Sequence, residues 1–169
     1  TVLTHGYFIA EDKVEQQIMK PYPPLGLLYI SAYLNKHNYS HLVFDTTFSN
    51  QQEWQDYILI EQPDLIAFYV NLMTKVKVIK LMQWVKKNTN LKATKIVLGG
   101  PDITYNKANY LKAGADFLII GEGEATTLEL IQSLSSQSDL SFISGLVYEK
   151  NGAIISNAPR QKIKDIDEL

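Results

Sequence analysis

The chain has 169 residues, a length typical of one domain, and its 46% hydrophobic and 20% charged residues exclude a mostly disordered protein. It has no cysteine, which excludes a disulfide scaffold and an iron–sulfur cluster held by these residues. The net charge is −2, and Arg160 is the only arginine among 16 basic residues, so we expect no nucleic-acid partner. No apolar run approaches the ~20 residues that span a bilayer and no signal peptide begins the chain, so we expect no membrane partner and a cytoplasmic location.

Short β-rich runs alternate with helical patterns along most of the chain, as in the βαβ units of a parallel sheet. The predicted strands are residues 2–9, 41–46, 64–70, 95–98 and 115–120. The predicted helices are residues 25–36, which we expect to be well buried, 51–62, 74–88, 106–113 and 125–135. Five strands with intervening helices predict an α/β fold, a flavodoxin-like doubly wound parallel sheet of order 2-1-3-4-5.

The alternation stops after the fifth predicted helix. Residues 142–149 and 153–157 look like two strands, and they flank Asn151-Gly152, a strong signal for a two-residue hairpin turn. We therefore predict a C-terminal β-hairpin appendage. The domain division is residues 1–138 for the Rossmann-like core and residues 139–169 for the hairpin and a linker.

Ligands of doubly wound sheets bind at the carboxyl ends of the strands, beside the switch point between strands 1 and 3. Glycines follow three of the four strands that meet there. Because glycine lets a backbone approach a ligand closely, this clustering favours a broad, flat ligand, although each single glycine is equally explained as a turn residue. The sequence contains no G-x-G-x-x-G, no P-loop and no G-x-S-x-G, so the common dinucleotide, nucleoside triphosphate and hydrolase sites are excluded.

Four segments resemble the cobalamin-binding domain at the N-terminus of B12-dependent radical SAM enzymes. They match motifs of that family in the family's order along nearly the whole chain. The segments are residues 23–34 (PPLGLLYISAYL), 97–101 (VLGGP), 113–124 (AGADFLIIGEGE) and, as a lead-in to the radical SAM barrel, Gly145-Leu146 with the hairpin, Arg160 and residues 166–169 (IDEL). Each motif is short, but four in register are specific.

The resemblance implies that cobalamin lies over the strand ends, with its nucleotide tail between the sheet and a helix. Residues 71–74 and 99–100 would line the tail, and Glu122 and Glu124 would lie near it. The implied cofactor-binding residues are His5, Gly6, Tyr7, Leu25, Gly26, Asn71, Leu72, Met73, Thr74, Gly99, Gly100, Pro101, Asp102, Gly121, Glu122, Gly123 and Glu124.

The sequence departs from the better known cobalamin domains because no D-x-H-x-x-G follows the first strand. The radical SAM branch commonly lacks this motif, so the resemblance implies base-off cobalamin without a histidine ligand. We expect His5 to act in capping or to meet solvent rather than to contact cobalt, and we assign no metal ligand.

The resemblance also implies a longer parent chain, because these residues contain no C-x-x-x-C-x-x-C. A radical SAM barrel, with its [4Fe-4S] cluster and S-adenosylmethionine, would follow in that chain and partner this domain. The domain alone would bind cobalamin and catalyse nothing, while the parent would perform methyl transfer, or cyclisation or rearrangement.

Two other classes of function stay open at the level of the sequence. One is a flavin- or nucleotide-binding enzyme domain on the same fold, and the other is a protein-interaction module. Two features have a plain structural explanation as well. Glu122 and Glu124 suit the start of a helix, and Tyr7 and Tyr22 either cover a corrin or close the edge of the core.

Overall fold

The computed structural model describes residues 1–162, so the predicted lead-in at residues 166–169 lies outside the described part. One sheet has seven strands in the order β2-β1-β3-β4-β5-β6-β7. The strands are β1 (Val2–His5), β2 (Leu42–Phe44), β3 (Leu65–Tyr69), β4 (Lys95–Gly99), β5 (Phe117–Ile119), β6 (Leu146–Lys150) and β7 (Ala153–Ser156). The α-helices are α1 (Lys13–Ile18), α2 (Leu25–Lys36), α3 (Gln51–Glu61), α4 (Lys75–Lys87), α5 (Lys107–Ala113) and α6 (Glu124–Ser136).

Strands β1 to β5 run parallel in the order 2-1-3-4-5, which confirms the flavodoxin-like doubly wound fold. The hairpin differs from the expected appendage because it continues the same sheet, with β6 antiparallel to β5 and β7 antiparallel to β6. Leu146 and Val147 of β6 are buried in the cores on opposite faces, so β6 covers an edge that β5 would otherwise expose. Asn151 and Gly152 both have positive φ, as a two-residue hairpin turn requires.

Helices cover both faces of the sheet. Helices α3, α4 and α5 contribute to the core on one face, which includes Trp54, Phe68 and Met82. Helices α2 and α6 contribute to the core on the other face, which includes Leu27, Leu34 and other aliphatic residues. None of the helices within residues 1–162 is long and apolar enough to cross a membrane.

The segment after β1 differs most from the prediction. The strand ends at His5 instead of residue 9, because Ile9 turns into a 3₁₀ helix and its N–H donates to the Thr47 carbonyl at 3.1 Å. Helix α1 then follows, and no pattern in the sequence predicted it. The Asp12 side chain accepts hydrogen bonds from two backbone N–H groups in its first turn.

Two further predictions need correction. Strand β6 begins at Leu146 instead of residue 142, since Gly145 adopts φ +80° and Phe142 is exposed in a 3₁₀ turn. Helix α2 is less buried than its apolar composition predicts. Of its residues only Leu27 and Leu34 are buried, because the helix rests on the sheet and α6 along one side alone.

Candidate functional site

Two neighbouring cavities open where the parallel strands end. The narrow cavity, about 170 Å³, lies between the sheet and helices α2 and α6. The wide cavity, about 460 Å³, is bounded by the ends of β1 and β3 and by the chain that leads into α2. Gly26 and Tyr69 line both cavities, so the two hollows meet at these residues.

Small residues in the sheet create the narrow cavity. Ala67 of β3 and Gly99 of β4 lie on the face of the sheet that α2 and α6 cover, because successive residues of a strand alternate between the two faces. A Cβ added at Gly99 would meet no atom within 4 Å. Larger side chains at these two positions would project into the hollow.

The walls of the narrow cavity come from the starts of α2 and α6. Gly123 precedes α6, and a Cβ there would lie 3.1 Å from Cδ1 of Ile30. Glycine at this position therefore lets α6 begin close to α2. The carboxylate of Glu124 follows at once, and its Oε2 is buried without a hydrogen-bond partner among residues 1–162.

His5 lines the wide cavity but is held in a polar network. It is only 4% exposed, since the loop after β2 covers the end of β1. Its Nε2 lies 2.9 Å from Oδ1 of Asp45, and its Nδ1 lies 3.2 Å from the Tyr7 N–H and 3.0 Å from Oγ1 of Thr46. His5 thus caps the backbone N–H that follows β1, as one of the two expectations had it, whereas the expected solvent contact is wrong.

Burial and charge shift the pKa values of His5 and Asp45 in opposite directions. Burial lowers the pKa of His5, although Asp45 opposes the shift, so the imidazole is held neutral. Burial would raise the pKa of Asp45, but hydrogen bonds from Thr47 and His5 outweigh it and lower that pKa. An ionised Asp45 accepts the Nε2–H of His5, which leaves Nδ1 as the acceptor for the Tyr7 N–H.

Tyr7 and Tyr22 both line the wide cavity, but Tyr7 is held by a hydrogen bond whereas Tyr22 is exposed. The Tyr7 hydroxyl donates to Oε2 of Glu15 at 2.7 Å, which ties the end of β1 to α1. Burial and this carboxylate raise the pKa of Tyr7 to about 12. Tyr22 lines the same cavity but is 86% exposed, so it does not close the core edge.

The segment after β3 forms a compact turn beside the wide cavity. Oδ1 of Asn71 accepts from the N–H groups of Met73 and Thr74, each at 3.0 Å, and so holds the turn that precedes α4. Asn71, Met73 and Thr74 line the wide cavity, whereas the resemblance implied that this segment lines the tail.

Most of the predicted site residues come together at the two cavities. The narrow cavity is lined by Gly26, Gly99, Gly100, Gly121, Glu122, Gly123 and Glu124 of the predicted set. The wide cavity is lined by His5, Tyr7, Leu25, Gly26, Asn71, Met73 and Thr74.

Four predicted residues line neither cavity: Gly6, Leu72, Pro101 and Asp102. Gly6 serves packing, since a Cβ there would lie 2.8 Å from Cγ2 of Val78 in α4. Asp102 accepts from the Tyr110 hydroxyl at 2.5 Å and so braces α5. Leu72 and Pro101 are exposed.

Gly100 lines the narrow cavity, but its backbone explains why it is glycine. It adopts φ +118°, and a Cβ would lie 2.2 Å from the carbonyl oxygen of Val70. Close packing of the chain after β4 against the end of β3 requires this glycine, whether or not a ligand is present.

Sequence reasoning missed the wall and floor residues inside the elements. They are Leu27, Ile30, Ala67, Phe68, Tyr69, Val97, Ile119 and Thr127 in the narrow cavity and Glu15, Pro23 and Pro24 in the wide one. One signal was present in the sequence. Ala67 is the one small side chain in the bulky run of residues 65–70, and a small residue inside a central strand marks a place where the core is not filled.

Comparison with known proteins gives a consistent picture. The family model of the B12 binding domain matches residues 16–131. An uncharacterized methyltransferase of Pyrococcus horikoshii is 27% identical over 94% of this chain and 35% of its own length. The anaerobic magnesium-protoporphyrin IX monomethyl ester cyclase of a Synechocystis strain is 29% identical over 86% of this chain and 30% of its own length.

Two solved structures share the fold. The cobalamin-dependent S-adenosylmethionine radical enzyme OxsB, with aqua-cobalamin and S-adenosylmethionine bound, superposes with a TM-score of 0.80 at 19% identity over 95% of this chain and 22% of its own. The radical S-adenosylmethionine methyltransferase TsrM of Kitasatospora setae, with cobalamin and a [4Fe-4S] cluster bound, gives 0.69 at 19% identity over 98% of this chain and 30% of its own. The chain thus spans about a third or less of these proteins. Because the family model covers more than half of its residues, the chain belongs to the B12-binding domain family.

Proposed function

We propose that this chain binds cobalamin base-off, with the corrin at the wide cavity and the nucleotide tail in the narrow one. The observation that carries the proposal is the pair of hollows of unequal size that meet at Gly26 and Tyr69. A corrin is wide and needs a broad, largely apolar platform, whereas a nucleotide tail is slender and needs a slot between helix and sheet.

The residues present fit this group. The slot exists because Ala67 and Gly99 leave its floor open, and a Cβ at Gly99 would stand free in it. The slot also holds a buried carboxylate oxygen, Oε2 of Glu124, which lacks a hydrogen-bond donor within residues 1–162. When bound, cobalamin supplies a cobalt ion that carries a methyl group or exchanges an electron.

The proposal includes no histidine ligand to cobalt. His5 is the histidine at the wide cavity, and both of its ring nitrogens already have partners in Asp45, Tyr7 and Thr46. To bind a metal, His5 would have to give up the hydrogen bonds of one nitrogen and leave their partners unsatisfied, which costs about 1–3 kcal/mol for each buried group. The role of His5 in this proposal is to fix the end of β1 beneath the ligand.

The domain roles form part of the same proposal. Residues 1–138 would bind cobalamin, and residues 139–169 would form the hairpin and a linker toward a radical SAM barrel in the parent chain. Because β6 pairs with β5, these two parts share one sheet and differ in role rather than in fold. A cytoplasmic location also stays a prediction.

The names of the relatives favour a parent enzyme of the radical SAM class. One is a methyltransferase and another a cyclase, and OxsB and TsrM bind cobalamin beside S-adenosylmethionine or a [4Fe-4S] cluster. We propose that the parent performs methyl transfer or cyclisation, that its barrel supplies the cluster and S-adenosylmethionine, and that this domain alone catalyses no reaction.

The direct test is retention of hydroxocobalamin. The purified protein should keep the colour through desalting, with an absorbance spectrum in which the lower base has left cobalt. Gly99→Leu should abolish retention because it fills the slot, while Gly99→Ala should bind with a smaller loss. Gly100 and Gly121 are unsuitable positions because both have positive φ. No retention by the unmodified protein would overturn the proposal, and so would full retention by a folded Gly99→Leu variant.

The absence of a histidine ligand has its own test. After reduction to the cobalt(II) form, the electron paramagnetic resonance spectrum should lack nitrogen superhyperfine splitting. His5→Gln should leave this spectrum unchanged. Splitting that disappears in His5→Gln would show that the imidazole binds cobalt and would overturn this part of the proposal.

A further inference from the structure

The chain that follows β7 leaves the sheet at the edge that carries both cavities. Strand β6 is antiparallel to β5 and β7 is antiparallel to β6, so β7 runs in the same direction as β1 to β5. The carboxyl end of β7 therefore lies at the same edge as the carboxyl ends of the parallel strands. We call residues 157–161, which follow there, the exit segment.

Hydrogen bonds hold the first half of the exit segment against the domain. The N–H of Asn157 donates to the Leu146 carbonyl at 3.0 Å, which continues the pairing of β7 with β6. The Ala158 carbonyl accepts from the N–H of Gly145 at 2.8 Å. The side-chain amide of Asn157 also donates to the Leu140 carbonyl at 2.6 Å. These contacts fix the path of the chain as far as Ala158.

Arg160 holds the second half of the exit segment. Its side chain is only 17% exposed, and one guanidinium nitrogen pairs with the carboxylate of Glu129. Its Nε donates to Oγ1 of Thr126 at 2.6 Å. Thr126 is completely buried in the first turn of α6, so Arg160 is attached to a part of the domain that is itself fixed.

The chemistry of arginine suits this attachment. A planar guanidinium presents several N–H donors in fixed directions, so Arg160 can bind the hydroxyl and the carboxylate together. Arg160 is the only arginine of the chain, and the other basic residues are lysines. A lysine ammonium is a point charge on a flexible stem and does not provide this geometry.

The exit segment lies beside the narrow cavity. Its residues Pro159, Arg160 and Gln161 line a third hollow of about 370 Å³, here the side cavity. Glu122 and Glu124 line both the side cavity and the narrow cavity. The chain is thus directed past one wall of the candidate site.

We infer that Arg160 pins the exit segment to α6 and thereby sets the direction in which the chain leaves this domain. The role in a longer chain rests on the proposed function. In the proposed parent, Arg160 is a positioning residue that fixes where the following domain begins relative to the narrow cavity. A free linker would instead let that domain sample many orientations.

The test measures how well the exit segment is ordered. Because the chain has no cysteine, Lys162→Cys and Lys87→Cys introduce two unique sites for spin labels, both exposed. Double electron–electron resonance should give one narrow distance distribution between them. Arg160→Gln should broaden it severalfold. The control pair, Gln132→Cys with Lys87→Cys, joins two helices and should give the same distribution with and without Arg160.

Trypsin gives an independent measurement, because cleavage after Arg160 requires its guanidinium to leave Thr126 and Glu129. Glu129→Met removes the ion pair and keeps Arg160. Cleavage after Arg160, followed by mass spectrometry, should be about fivefold faster, since the rate follows the population of the open form. Glu149→Met is the matched control at an exposed position of β6 and should not change the rate.

Three results would overturn the inference. They are a broad distribution with Arg160 intact, an equally narrow one in a folded Arg160→Gln variant, and broadening of the control pair, which would show that Arg160 supports the whole fold. If Arg160→Gln is poorly folded by circular dichroism, Arg160→Lys repeats the test and should give an intermediate width. These measurements use no ligand, so a failure to retain hydroxocobalamin would overturn the proposed function and leave the pinned exit segment standing.

Discussion

The two faces of the sheet differ in how they fill the space beside the ends of β3 and β4. On the face of α3 and α4, Phe68 and Leu98 are fully packed, and the Trp54 ring lies 5.6 Å from the Phe68 ring. On the face of α2 and α6, the neighbouring positions hold Ala67 and Gly99, and the narrow cavity lies above them. Adjacent residues of the same two strands thus build a solid core on one face and a hollow on the other.

The two faces of the sheet therefore have different tasks. The filled face holds the strands in register, so truncation there should cost stability. The hollow face keeps room for a ligand, so enlargement there should cost binding with little change in stability. Substitutions of Trp54, Gly99, Gly100 and Ala67 test this division, and the pH dependence tests the polar network of His5.

The largest loss of stability is expected on the filled face, from Trp54→Ala. The indole is completely buried, and its Nε1 donates to Oγ1 of Thr4 at 3.1 Å. Removal should lower the free energy of unfolding by about 3–5 kcal/mol, measured by urea denaturation followed by far-ultraviolet circular dichroism. Ile60→Ala, at an exposed position, should stay within about 0.5 kcal/mol. A loss at Trp54 as small as that at Ile60 would show that the face of α3 and α4 does not hold the stabilising core.

Gly99 and Gly100 are neighbours in the sequence, but we expect substitution of the two to differ in its effect on stability. Gly100→Ala should lower the free energy of unfolding by about 1–3 kcal/mol, because of its positive φ and its contact with the Val70 carbonyl oxygen. Gly99→Ala meets open space and should leave stability unchanged within about 1 kcal/mol. Thermal denaturation of the two variants measures both effects. Equal destabilisation would mean that the hollow face is packed after all.

A smaller effect is expected from pH, through His5. Burial lowers its pKa in the folded protein, so the unfolded chain binds a proton at higher pH than the folded one. The contribution of neutral His5 to the free energy of unfolding is complete above the ordinary histidine pKa of about 6.5. It is lost as the pH falls toward the lower pKa of the folded protein. The urea midpoint should therefore fall from pH 7 to pH 5, and less steeply in His5→Gln. An identical slope in His5→Gln would exclude His5 as the cause.

The smallest effect on stability is expected from Ala67→Leu. The larger side chain enters the narrow cavity instead of an occupied space, so the free energy of unfolding should change by less than about 1 kcal/mol. Retention of hydroxocobalamin should nevertheless be lost, as measured by absorbance after desalting. Binding that survives in a folded Ala67→Leu variant would show that the ligand does not occupy the narrow cavity.

The sequence predicted the parallel part of the fold well, because alternating strands and helices leave few possible topologies. It also predicted the Asn151-Gly152 turn. It did not show that β6 joins β5, since strand pairing across a long loop depends on which edge is open. Helix α1 escaped prediction because six residues are too few to display a helical period.

The site was predictable where residues follow strands or belong to a recognised motif. Gly99, Gly121 and Gly123 lie at the narrow cavity, whereas Gly6, which also follows a strand, serves the packing of Val78. A glycine that makes room for a ligand and a glycine that makes room for a side chain look alike until the helix above them is placed. For the same reason the significance of Ala67 emerges only when α2 is known to cover its face.

The Tyr69 ring restricts the shape of a ligand that occupies both cavities. It borders both hollows and faces Gly26, whose added Cβ would lie 3.4 Å from Cε2 of the ring. A molecule that occupies both cavities at once must therefore bend around the Tyr69 ring. A flat, rigid ring without a flexible substituent cannot bend in this way and would occupy only one of the two cavities.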